Sequence, residues 1–187
     1  MLRRVAFAVL TLQACAGAVW AMTPAQISAG FKEGALAYCL EAALRGATVG
    51  DLPPALRRGI SPADETMRGL VEASNPAGPI WDVATAKGIV VVSEPKPGVC
   101  EVVAYGAPVE RTFKGVLSDA RKKLPDFKAV PIKPGYDPIV YRLEQGEAAG
   151  GVALELRGAE PGAPGRMFRF SMLTARITYA PSVARPE

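Results

Sequence analysis

Whatever chemistry this chain performs, it performs without an imidazole: its 187 residues include no histidine. That removes Ser-His-Asp and Cys-His nucleophilic sites, zinc sites with imidazole ligands, and His-ligated haem. Carboxylates, amines and thiols remain. Glu94, Glu101, Glu144 and Glu147 could supply a pair for glycosidic hydrolysis, which needs two carboxyl groups about 5–10 Å apart. Nothing in their spacing along the chain brings two together. Ser118 and Lys122 share a helix face, but a Ser-Lys nucleophile needs a buried lysine, and both fall on the solvent side. Asp82 beside Trp81 could line a cleft, although an aromatic at a strand start more often joins the core. There is no Gly-x-Gly-x-x-Gly, no Asp-x-Asp-x-Asp and no EF-hand loop. Residues 158–165 read Gly-Ala-Glu-Pro-Gly-Ala-Pro-Gly. Two prolines there delete backbone donors, so the segment reads as a hairpin loop and not a phosphate cradle. The sequence therefore assigns no catalytic residue, metal ligand or cofactor.

The thiols do carry information. Residues 1–21 have the form of a secretory signal peptide. Arg3 and Arg4 make the positive start, an apolar run follows, and Val19-Trp20-Ala21 offers small or medium residues at the cleavage site. About 17 residues separate Arg4 from Met22, short for a membrane span of about 20. Leu12-Gln13-Ala14-Cys15 also resembles a lipobox, so lipidation at Cys15 is the alternative, with Gln13 as its poor fit. Both routes place the chain in the periplasm or outside the cell. Cleavage after Ala21 leaves two cysteines, Cys39 and Cys100. In an exported protein an even pair reads as a disulfide. A bridge closing so long a loop contributes roughly 4 kcal/mol in the chain-entropy account.

One stretch concentrates charge. Between residues 111 and 133 lie Arg111, Lys114, Arg121, Lys122, Lys123, Lys128 and Lys133, opposed by Asp119 and Asp126. At about 100° per residue, Arg111, Lys114, Ser118, Arg121 and Lys122 share a helix face, with Val109, Phe113, Val116, Leu117 and Ala120 opposite. The plain reading is a solvated face. The sharper one is a docking face for an anionic envelope component or an acidic protein surface. Loss of Arg3 and Arg4 with the leader lowers the net charge from +4 to +2, which gives no argument for nucleic acid.

The elements that must position these groups follow from pattern. Hydrophobic residues at 49% and charged residues at 21% are ordinary for a globular chain. Thr23-Pro24-Ala25-Gln26 combines an N-cap, a proline at N1 and a capping box, so a helix is expected from there to Arg45, stopped by Gly46. Apolar residues line two of its sides, which predicts burial. Ser61-Pro62-Ala63-Asp64 repeats the signal and predicts a second helix over 61–74. Asn75–Pro79 is a turn. β runs are expected over 80–85, 88–93 and 99–105, the last two forming a hairpin about Pro95-Lys96-Pro97-Gly98. A third helix is expected over 108–124. Strands follow near 127–132, 139–143, 151–157, 166–173 and 175–180. The last two could form one interrupted strand, and residues 181–187 form a frayed tail. Strands mostly follow strands, so residues 22–187 are expected to form a single α+β domain of two layers. It should have a mostly antiparallel sheet, about three helices on one face and one disulfide.

The segment Phe31–Leu40, then Trp81, then Gly98–Tyr105 resembles small exported bacterial proteins. These begin with a helix of Phe-x-x-x-Cys type and carry a second cysteine in a strand after a tryptophan. The resemblance covers about half of the chain and implies one helix-to-strand disulfide. Those proteins carry no assigned activity to transfer. Three functional classes follow from the residues. The first is a non-catalytic exported envelope domain with a binding or accessory role, and no transmembrane helix after processing. The second is a His-independent hydrolase or transferase using carboxylates or lysine. The third is an inhibitor or immunity-type protein acting in the envelope.

Overall fold

A computed structural model describes residues 22–65, 68, 78–130, 139–145, 151–161 and 170–180, with 129–130 and 139–145 described through their backbone. The leader, Glu147, the stretch 162–169 and the tail 181–187 lie outside the described residues. Thr23 opens the first helix with the expected capping box: its Oγ1 accepts from Gln26 N–H at 3.2 Å and its N–H donates to Gln26 Oε1 at 2.9 Å. α1 (Pro24–Glu33) runs without a break through a π-helical turn (Gly34–Cys39) into α2 (Leu40–Arg45). Gly46 ends the rod in the left-handed region, at φ 61°, where glycine bears no Cβ penalty. The π-turn lies where the rod comes closest to the sheet. A Cβ on Gly34 would stand 2.9 Å from Val102 Cγ1.

Among the described residues, eight strands form one sheet: β1 (Ile60–Pro62), β2 (Ile80–Val83), β3 (Val90–Lys96), β4 (Val99–Tyr105), β5 (Phe127–Val130), β6 (Ile139–Gln145), β7 (Ala153–Ala159) and β8 (Met172–Thr178). Their order is β1-β2-β3-β4-β8-β7-β6-β5. Every neighbouring pair is antiparallel. Two meanders thus meet where β4 pairs with β8. The crossing between them is made by α3 (Val109–Lys123), which carries the chain from the middle of the sheet to its far edge.

The rod and α3 lie on the same face. Cys100, Val102 and Ala104 of β4, Leu173, Ala175 and Ile177 of β8, and Leu154 and Leu156 of β7 point into a core with Phe31, Leu40 and Phe113. This is the period-two alternation of a sheet packed on one side, and each fully buried aliphatic or aromatic side chain is worth roughly 1.5–3 kcal/mol. Phe31 and Phe113 face each other at 6.1 Å. Cys39, at the end of the π-turn, is bonded to Cys100 of β4, with Cα atoms 5.4 Å apart and both residues fully buried. The bond fastens the rod to the strand that joins the two meanders.

The α+β class and the antiparallel sheet are as expected, and several boundaries differ: β2 stops at Val83 before a short helical turn (Ala84–Ala86), and one uninterrupted strand, β8, crosses the break expected between 166–173 and 175–180. Ser61 and Pro62 do not cap a helix; they belong to β1, which pairs with β2. A bond from Arg68 N–H to Asp64 O opens a helical turn three residues later, and the rest of the expected second helix lies outside the described residues. Proline suits β1 because it is an edge strand, where a missing N–H costs no ladder bond. Of the hairpin strands, β4 has the expected bounds, while β3 begins at Val90 and runs further than expected. β3 continues to Lys96 through a register shift between Ser93 and Lys96, and the turn tightens to Pro97-Gly98.

Candidate functional site

α3 is held by contacts that fix which side faces water. Its N-terminal N–H groups receive no side-chain cap from Pro108. Glu160, just past β7, accepts from Val109 N–H at 3.1 Å instead, a carboxylate at the positive end of the helix dipole. Thr112 Oγ1 donates to Pro108 O at 2.6 Å. That commits its proton, so Ser28 Oγ of α1 donates to Thr112 Oγ1 at 2.8 Å. Val109, Phe113, Val116 and Ala120 are buried, and Leu117 is half-buried.

Arg111, Lys114, Arg121 and Lys122 are consequently all exposed. Three carboxylates temper this face. Glu110 Oε1 accepts from Lys114 Nζ at 2.7 Å. Asp119 takes Lys122 at 2.7 Å and Lys32 of α1 at 2.9 Å. Those two ammonium groups, Lys122 first, hold its carboxyl down at about 2. Glu41 of α2 takes Arg45 at 2.8 Å and Lys123 at 3.5 Å. Desolvation works against ionisation of Glu41, yet its two cations together keep its carboxyl below the usual range. Asp119 and Glu41 thus each join two cations from different elements. Among the described residues, Arg111 and Arg121 have no carboxylate partner. Lys128 is exposed, and Lys133 lies outside the described residues.

The carboxylates considered for acid–base work stand apart. Glu94 is buried at the end of the sheet and accepts from Val49 N–H at 2.8 Å. Burial pushes its carboxyl above the usual range, and the nearby Asp51 charge adds to this. Tyr179 lies against it, donates to Ala47 O at 2.7 Å, and is pushed up to about 12 by burial and by the Glu94 and Asp51 charges. This cluster ties the loop after α2 to β3 and β8. Glu101 faces the opposite side of the sheet, with Oε1 3.3 Å from Arg176 Nε. Glu144 is placed by register beside Lys128 and Ala153. Asp82 is buried on β2 and accepts from Gly88 N–H at 3.2 Å, closing the turn before β3. Lys122 is exposed and paired with Asp119, so it is not the buried lysine that a Ser-Lys nucleophile at Ser118 needs.

A further cluster, in which only Tyr38 is buried, has no counterpart among the sequence motifs. Tyr38 Oη and Thr85 Oγ1 donate to the two oxygens of Glu33, each at 2.7 Å. Burial, then the Glu33 bond and charge, raise the Tyr38 phenol. Among the described residues, no group of three or more acidic or cysteine side chains is placed to hold a metal ion. No described helix is long and apolar enough to cross a membrane. Comparison of the chain with protein-family models, with curated proteins and with solved structures finds no match.

Proposed function

We propose that the protein is an exported cell-envelope domain with a binding or accessory role, and that it meets an anionic lipid surface through the outward face of α3. One observation carries the reading: Arg111, Lys114, Arg121 and Lys122 all face solvent from a helix whose other side is fixed in the core. Export rests on the leader and agrees with the Cys39–Cys100 bond, which oxidising compartments allow. Each cation near an anionic bilayer contributes on the order of 1 kcal/mol. The attraction is screened as the Debye length falls from about 10 Å at 0.1 M salt to about 3 Å at 1 M. Co-sedimentation with anionic vesicles should therefore fall steeply with salt. Lys114→Glu combined with Lys122→Glu should lower it at least about tenfold at low salt. Equal binding by both proteins, or none by either, returns α3 to a solvated face.

A further inference from the structure

The positive charge of the chain is concentrated in its helices. The rod and α3 together hold seven basic residues and four acidic ones, a net +3. The chain without its leader carries +2, so everything outside these helices sums to −1. One of the four carboxylates, Glu33, is turned to Tyr38 and Thr85. The rod and α3 lie side by side and run the same way: Ser28 meets Thr112, Lys32 meets Asp119, and Leu36 and Glu41 meet Lys123. They therefore share one outer surface. Across the seam, Asp119 holds Lys32 beside Lys122, and Glu41 holds Arg45 beside Lys123. Each carboxylate fixes two cations from different helices, and each trio keeps one positive charge. All four of these cations are exposed.

An apolar side chain stands among them. Leu44 follows Glu41 by three positions and Arg45 follows it by four, so the three residues share one side of α2. Leu44 is 44% exposed, whereas Leu40 one turn earlier is fully buried. Cations around a leucine suit a surface that rests in a bilayer interface, where lipid phosphates meet the cations and the acyl boundary takes the leucine. Resting on the reading that α3 meets an anionic lipid surface, we propose that the docking surface is the whole rod–α3 layer laid flat on the bilayer, with Lys32 and Arg45 on lipid phosphates and Leu44 inserted as its apolar anchor. The rod is held in this plane by the Cys39–Cys100 bond to β4 and by Phe31 against Phe113.

The alternative is that Lys32 and Arg45 serve only the seam and that Leu44 is an ordinary isolated surface leucine. Co-sedimentation of the exported protein with anionic vesicles separates the two. Lys32→Gln and Arg45→Gln remove charge without reversing it, and each should weaken binding about fivefold at 0.1 M salt. Leu44→Ala should also weaken it about fivefold, and its effect should persist as salt rises, since screening acts on charge alone. Leu44→Trp places an indole at the anchor; apart from Trp20 of the leader, the chain's other tryptophan is Trp81, which is buried. The emission of the new indole should shift to shorter wavelength on anionic vesicles and be quenched by lipids brominated along the acyl chain. Melting curves verify that each variant folds. Absence of binding by the wild type overturns this proposal together with the α3 reading. Binding that falls with Lys114→Glu and Lys122→Glu but is unchanged by any of Lys32→Gln, Arg45→Gln or Leu44→Ala overturns this proposal alone, as does an indole whose emission the vesicles leave unchanged.

Discussion

Glu94 shows how far residue type falls short of residue role. The sequence marks it as one of several carboxylates; the fold buries it against Val49, 45 positions earlier, and beside Tyr179. Replacing it with Ala strands the Val49 N–H and should destabilise the protein by about 1–3 kcal/mol in urea titration. Glu94→Gln isolates the charge. Because burial raises the folded-state value, the stability that Glu94 contributes is fully present below the unfolded value of about 4.3 and is lost as pH rises through the folded one. The wild type minus Glu94→Gln difference in melting temperature should thus favour the wild type most in acid and shrink toward neutral pH. A flat or rising difference would show that this carboxyl is not desolvated. Tyr38 with Glu33 and Thr85 is equally hidden in the sequence. Glu33 and Tyr38 stand five residues apart on one rod, but Val49 against Glu94 and Thr85 against Glu33 are brought together by tertiary contact alone.

Elements are more legible than residues because their signals are local. The capping box at Thr23, the stop at Gly46 and the apolar stripe of α3 each involve residues within a turn or two of one another, and each is present as expected. Ser61-Pro62 misleads because cap-plus-proline chemistry also suits an edge strand, and only pairing with β2 decides between them. The order that puts β4 beside β8 has no local signal at all. Its consequences can be tested. Gly158 lies where α3 meets β7, and a Cβ there would stand 2.3 Å from Val109 Cγ1 and 3.0 Å from Phe113 Cζ. Gly158→Ala should cost about 1–3 kcal/mol through overpacking, and a neutral result would mean that α3 stands further from the sheet. For the rod, free-thiol titration of denatured, unreduced protein should find none, and Cys39→Ala with Cys100→Ala should lose roughly 2–5 kcal/mol. Two titratable thiols would contradict the bond.

At the scale of the whole molecule the two layers differ in what they offer. The helical layer presents cations, while the opposite sheet face alternates charge. Helical periodicity alone makes the first legible in the sequence. The second is not legible there, since the strand register sets Glu101, Arg176 and Glu155 side by side from three distant segments. Intact mass of the exported protein should begin at Met22; a retained leader or a diacylated Cys15 would replace the processing described above. The account depends most on α3 being the surface that meets the anionic partner, and amine acetylation read residue by residue, with and without anionic vesicles, tests that directly. It predicts that vesicles protect Lys114 and Lys122, that 1 M salt abolishes the protection, and that the exposed Lys87 and Lys96, outside α3, stay reactive throughout. Reactivity at Lys114 and Lys122 unchanged by vesicles, or protection spread evenly over all four lysines, would contradict it.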